Sequence, residues 1–260
     1  MKPLKIAALA CALITPLAGT TAAHASAYPV KNPVLTKNSL YQTGPLPTTT
    51  CEELPVKPKN RAQARAYIDE VIRCLENTWG QHLKNAGLPY EPVKVRHVTS
   101  LPKNYCGSDN GNDDSQAWYC DWDRTLSFKL GKSWLDSPSD LWLFNTAASM
   151  YGYHVLKLAG IYDAGEDLRA RSKSEHHEQA RRLSLQAECL GAAFMQSVWP
   201  IKGRTTEDWD KFLWLVQGDQ RGDDPLYGKT STIKNWIRAG FRTGDPGSCN
   251  TWTAPSSKVA

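Results

Sequence analysis

Asp140-Leu-Trp-Leu-Phe-Asn-Thr-Ala-Ala-Ser-Met-Tyr-Gly-Tyr-His-Val-Leu-Lys-Leu158 is the stretch whose reading decides the fold. Leu141, Phe144, Ala147, Ala148, Tyr151, Val155 and Leu158 recur at three- and four-residue steps, which aligns them as one apolar stripe on a helix. Ser137-Pro138-Ser139-Asp140 supplies a start, because serine or aspartate side chains accept from the unpaired N–H groups of a first turn. Acids are also favoured at the positive end of the helix dipole. Gly160 closes the segment.

The same period continues downstream. His177 to Val198 turns Ala180, Leu183, Ala187, Leu190 and Phe194 inward and stops at Pro200. Thr206-Glu207-Asp208 caps a third helix ending near Gly218, and Ser231 to Ala239 makes a fourth. Upstream, Ala64, Ile68, Val71, Ile72, Leu75, Trp79 and Leu83 mark a helix over 61–85, ended by Gly87-Leu88-Pro89. Val93 to Val98 alternates with period two and predicts a strand, as does Thr125 to Leu130. Between them, Cys106 to Cys120 encloses Gly107, Asn110, Gly111 and Asp113-Asp114 and is expected to be a polar loop. A calcium site at Ser108 to Asp114 is the other use for those oxygens, but the ordered ligand spacing and terminal glutamate of an EF-hand are missing.

The first residues point to export. Lys2 and Lys5 precede an apolar run from Ile6 to Leu17, and Ala25-Ser26-Ala27 fits a signal-peptidase site, with Ala23-His24-Ala25 as a second candidate. A lipid-anchored alternative would use Cys11, with only Ile6 to Ala10 as its apolar stretch. The run is too short for a stable span, which needs about 20 apolar residues. Residues 1–27 are therefore expected to be a signal peptide, and 28–50, rich in proline and ending in Thr48-Thr49-Thr50, a flexible linker. The remaining length, 51–260, suits one domain.

Without Cys11, six cysteines remain: Cys51, Cys74, Cys106, Cys120, Cys189 and Cys249. An even number in an exported chain predicts three disulfides, out of 15 possible connectivities. Proximity favours Cys51–Cys74 and Cys106–Cys120 as local loops, which leaves Cys189–Cys249. A metal cluster is the other use for cysteine, but no C-x-x-C pair occurs. The formal net charge of +5 is spread among interspersed acids, so nothing marks a nucleic-acid surface.

Three segments carry a family resemblance. Ser149-Met-Tyr-Gly-Tyr-His-Val155 resembles the H-E-Y-G-H-H-V stretch of the neutral zinc metallopeptidase family. Arg182-Leu-Ser-Leu-Gln-Ala-Glu-Cys-Leu190 resembles its R-L-E-L-Q-A-D-C-F/Y segment. The tail, with Arg238-Ala-Gly-Phe241, Asp245-Pro-Gly-Ser-Cys249 and Asn250-Thr-Trp252, is similar as well. The resemblance implies an α+β, helix-dominated, zincin-like single domain with a small sheet.

It also implies a site, and the site residues are substituted. In such enzymes two histidines four apart on one helix bind zinc, and the glutamate between them activates zinc-bound water. Carried over position by position, the first histidine is Ser149, the glutamate is Met150 and the second histidine is Tyr153. The third ligand falls on Ser184, the acid four residues on is Glu188, and the histidine of a later H-G-S motif is Tyr227. Serine is a poor zinc ligand, methionine cannot take a proton, and tyrosine binds only as a phenolate against a pKa of about 10. No catalytic residue and no cofactor is therefore expected. The material for a rearranged zinc site, which would make the chain an active peptidase, is His154, Glu188 and Glu175-His-His-Glu178. His154 lies about 100° off the old metal face, and His176 and His177 are expected to precede the second helix in a solvated segment.

The expected protein is a secreted, catalytically inactive homologue that binds a peptide, a protein or a cell-wall component, or acts as a scaffold.

Overall fold

The computed structural model describes residues 30–107, 111–136 and 140–260. The proposed leader, Ser137-Pro138-Ser139 and part of the Ser108–Asp114 loop lie outside the described residues.

Three long helices make the centre. Helix α4 (Asp140–Leu158) lies against α6 (Lys173–Ser197), and α6 in turn against α8 (Thr230–Thr243). Helix α2 (Arg61–Asn85) covers the other flank of α4 with Ile68, Val71, Ile72, Leu75, Trp79 and Leu83 buried, as their spacing requires. Asn60 caps α2 by accepting from the Gln63 amide. Between α2 and α4 the chain makes a three-stranded sheet of order β1-β3-β2. Strand β1 (Lys94–Val98) runs parallel to β3 (Thr125–Lys129), and β2 (Gln116–Cys120) runs antiparallel to β3. The edge strand β2 packs on α4. All of these elements share one apolar core, so the structure is a helix-rich single domain with a small sheet.

Shorter helices fill the connections. These are α1 (Pro33–Thr36), α3 (Lys132–Leu135), α5 (Ile161–Glu166) and α7 (Thr206–Leu215). Helix α7 opens with a capping box in which Thr205 and Asp208 satisfy each other's backbone N–H groups.

Three expectations need correction. Strand β2 lies inside what reads as a polar loop: the glycines and aspartates ahead of it mask the run Gln116-Ala-Trp-Tyr-Cys120, whose aromatics suit a strand. Helix α6 begins at Lys173, because Ser172 caps it by accepting from the Glu175 amide, so His176 and His177 lie within its first turns. His177 is buried there, not solvated.

The third correction is the linker. From Val30 on, the segment 28–50 is packed on the domain. Leu35 and Leu40 are fully buried and Leu46 nearly so. Asn38 donates to the carbonyl of Ala159, Leu46 N–H to that of Gly244 and Thr49 N–H to that of Ser197. Three well-spaced leucines anchor a segment whose composition alone suggests a tether, because burying each is worth about 1.5–3 kcal/mol.

The cysteines pair as Cys51–Cys74, Cys106–Cys120 and Cys189–Cys249. The first ties the N-terminal segment to α2, the second ties the start of the loop to the end of β2, and the third joins α6 to the tail.

Candidate functional site

The site lies where α4 crosses α6, and glycines set the distance between the two helices. A Cβ on Gly152 would stand 2.5 Å from the Ala187 carbonyl oxygen, and one on Gly191 would stand 2.7 Å from the Ser149 nitrogen. With no side chains between them the backbones nearly touch, which brings positions 145, 149 and 153 of α4 opposite 188 and 184 of α6. One turn separates Ser149 from Tyr153, so both look toward α6.

Ser149, 2% exposed, and Asn145 hold the Glu188 carboxylate from two sides. The Asn145 amide donates to Glu188 Oε2 at 3.2 Å, and Ser149 is the second hydrogen-bond partner. Neither partner carries charge. Burial pushes the Glu188 carboxyl up to about 7, against the two hydrogen bonds that favour its ionised form.

One turn along, Tyr153 lies beside Ser184, and Ser184 donates its proton to the Leu226 carbonyl at 3.3 Å. Burial raises the Tyr153 phenol above its ordinary value, so it is neutral. Met150, Tyr153, Ser184 and Tyr227 line a cleft of about 540 Å³ between β2, α4, α5 and α6, closed on one side by the segment carrying Leu226. Tyr227, 52% exposed, stands at its mouth, and its amide and that of Gly228 donate to the Asp219 carboxylate.

The positions read from the sequence therefore divide in two. Met150, Tyr153, Ser184 and Tyr227 face the cleft, whereas Ser149 and Glu188 bind each other within the α4–α6 contact and do not line it. Sequence reasoning missed Trp118, Tyr119 and Asp121 from β2 and its turn, Tyr162 and Glu166 from α5, and Asp224 from the segment before α8. The aromatic run of β2 was the one available signal for them.

His154 belongs elsewhere. It is fully buried, its Nε2 lies 2.8 Å from the Glu91 carbonyl and its Nδ1 lies 3.2 Å from the Tyr119 hydroxyl. A carbonyl only accepts, so Nε2 carries the proton and Nδ1 accepts from tyrosine. Burial, and secondarily the charge of Arg124, holds its pKa down at about 4. Both nitrogens are committed, and the ring braces α4 against the sheet.

The donor set does not fit zinc. Ser149 is engaged with Glu188, Ser184 with the Leu226 carbonyl, and Tyr153 is a neutral phenol, whereas a catalytic zinc takes about three imidazole, carboxylate or thiolate ligands. Among the described residues no three His, Cys, Asp or Glu side chains come together as a metal-holding group. No helix among them is long and apolar enough to cross a membrane.

The comparison with known families decides what this arrangement belongs to. The family model described as "Putative neutral zinc metallopeptidase" matches residues 35–252. The chain belongs to that family. Among curated proteins, it is similar to the "Uncharacterized protein YpfJ" of Escherichia coli K12, 26% identical over 211 residues that cover 74% of this chain and 73% of that protein. The protein of the same description from E. coli O6:H1 matches to the same extent. No solved structure matches the chain. The match to the zinc metallopeptidase family begins at Leu35, inside the segment that sequence composition marks as a linker and that the structure packs on the domain.

Proposed function

We propose that this chain is an exported, catalytically inactive member of the zinc metallopeptidase family whose cleft binds a peptide without cutting it. The observation that carries this reading is the commitment of Ser184, matched to the third metal ligand, to the Leu226 carbonyl at 3.3 Å. Its hydroxyl is turned to the backbone, and Tyr153, matched to another ligand, is a neutral phenol. Met150, matched to the water-activating glutamate, cannot take a proton. Glu188, the acid that survives, is held by Asn145 and Ser149 and faces no open space. Export is supported by the leader-like first residues and by three disulfides, which persist in oxidising compartments.

The test is zinc analysis of the purified mature protein combined with a broad peptide-cleavage screen. The expected result is substoichiometric zinc and no hydrolysis above the protein-free blank. Stoichiometric zinc together with chelator-sensitive cleavage would overturn the proposal.

A further inference from the structure

The walls of the cleft carry a charge of one sign. Among its described lining residues are Asp121, Glu166 and Asp224, and no lysine, arginine or histidine. This runs against the chain as a whole, whose formal net charge is +5. The rest of the wall is aromatic: Trp118, Tyr119, Tyr153, Tyr162 and Tyr227.

The carboxylates are unevenly neutralised. Asp224 pairs with Lys173 at 2.9 Å and has His177 at 3.6 Å. Lys157 is shared between Asp121 at 3.3 Å and Asp163 at 2.5 Å, and its ammonium sits 5.7 Å from the centre of the Tyr162 ring. Glu166, at the end of α5, has no hydrogen-bond or ion-pair partner among the described residues. The residue is exposed at its helix end, but the protein around it partly desolvates the carboxyl and raises its pKa; His176 opposes this, and Asp121, Asp163 and Asp167 add to it. One lysine thus serves two carboxylates, and Glu166 beside them has no ion-pair partner among the described residues. The potential they set up is focused by the low-dielectric aromatic walls.

We infer that the α5 end of this cleft is a pocket for a cationic side chain, the ammonium or guanidinium of a lysine or arginine presented by a peptide. Such a group would meet Glu166 and Asp121 with its charge while its aliphatic stem lies along Tyr162 and Trp118. Ring faces attract cations, and arginine stacks on them with little loss of hydration. A volume of about 540 Å³ falls within the range of clefts that enclose a small ligand. The inference rests on the proposed binding role, since it names what the same cleft would hold.

The experiment compares capped tripeptides, Ac-Ala-Xaa-Ala-NH2, by calorimetric titration of the full chain. Arginine and lysine are set against citrulline and norleucine, their uncharged analogues of similar shape, and free cadaverine is included to separate a peptide-borne cation from a bare amine. The cationic peptides are expected to bind about tenfold more tightly than the neutral ones, a preference that shrinks as salt is raised. Glu166→Gln should remove most of that preference. Glu166 sits at a helix end open to solvent, so the variant should fold, and an unchanged melting temperature checks this. Equal binding of all peptides, binding of none, tighter binding of cadaverine than of the peptides, or an unaltered preference in Glu166→Gln each overturns the inference. The inactive-homologue reading fails separately, through zinc content and cleavage. A zinc-free, non-cleaving protein that favours neutral peptides loses only the cation pocket.

Discussion

Gly152 lies against the backbone of Ala187, with 2.5 Å between the carbonyl oxygen and the place a Cβ would take. Two helices cannot accept a methyl group there without moving apart, and the whole site depends on their approach. Gly152→Ala is expected to destabilise the domain by about 3 kcal/mol, at the upper end of overpacking costs. Urea unfolding measures it. An unchanged midpoint would mean that α4 and α6 do not pack as described.

Glu188 predicts a pH dependence. Its carboxyl sits at about 7 when folded, against an ordinary value near 4.3 for glutamate. The folded state therefore holds more protons than the unfolded state between those values. Stability from this group is complete below about pH 4 and is lost as pH rises through about 7. Glu188→Gln, which cannot ionise, should match the parent near pH 4 and exceed it at pH 8 by on the order of 2 kcal/mol. Chemical denaturation at both values tests this, and a constant difference across the range would refute it.

Leu40 is fully buried although it lies in a segment rich in turn-forming residues. Leu40→Ala should cost about 2–5 kcal/mol, the range for large-to-small changes in a core. A mobile linker would show no loss. Limited proteolysis offers a second readout, since a packed segment resists cleavage between Pro33 and Leu46.

Restoring Ser149→His, Met150→Glu, Tyr153→His and Ser184→Glu together should rebuild zinc binding, because one turn of α4 and the facing turn of α6 already place these positions side by side. The hardest substitution is at Ser149, which is buried beside Gly191. Its added volume should cost about 1–3 kcal/mol, to be offset when metal binds the folded state. The expected outcome is one zinc per chain by elemental analysis and a zinc-dependent rise in melting temperature. A folded variant without zinc would show that these positions are not the family's ligand positions.

Much of the helical framework was legible in the residues. Arg61–Asn85 could be read to its ends, since its apolar period is long and a turn signal follows it. The body of Asp140–Leu158 was legible for the same reason. The start of α6 is read four residues late, because its first turn carries polar side chains that do not show the apolar period, and the end of α8 is read four residues early, just before Gly240. Strand β2 follows a glycine- and aspartate-rich run that reads as a loop, whereas β1 and β3, of the same length, show their own strand pattern. The site was legible only as identities: Ser149, Met150, Tyr153 and Ser184 could be matched one by one to a motif.

What the sequence by itself determined is local and chemical. Helical periods, caps and the identity of each donor are written in neighbouring residues, and wherever they land a serine remains a poor zinc ligand and a methionine cannot act as a base. What only the tertiary structure decided is who faces whom. Nothing in the order of residues says that Ser149 turns to Glu188 while Tyr153 turns to Ser184 and the cleft, or that Leu35, Leu40 and Leu46 settle on a core built far along the chain. Nor does it say that Asp121, Glu166 and Asp224 come together from three elements. Those outcomes follow from close packing: the glycines of α4 and α6 fix how near the helices come, and that distance decides which side chains are shut in and which line an open wall.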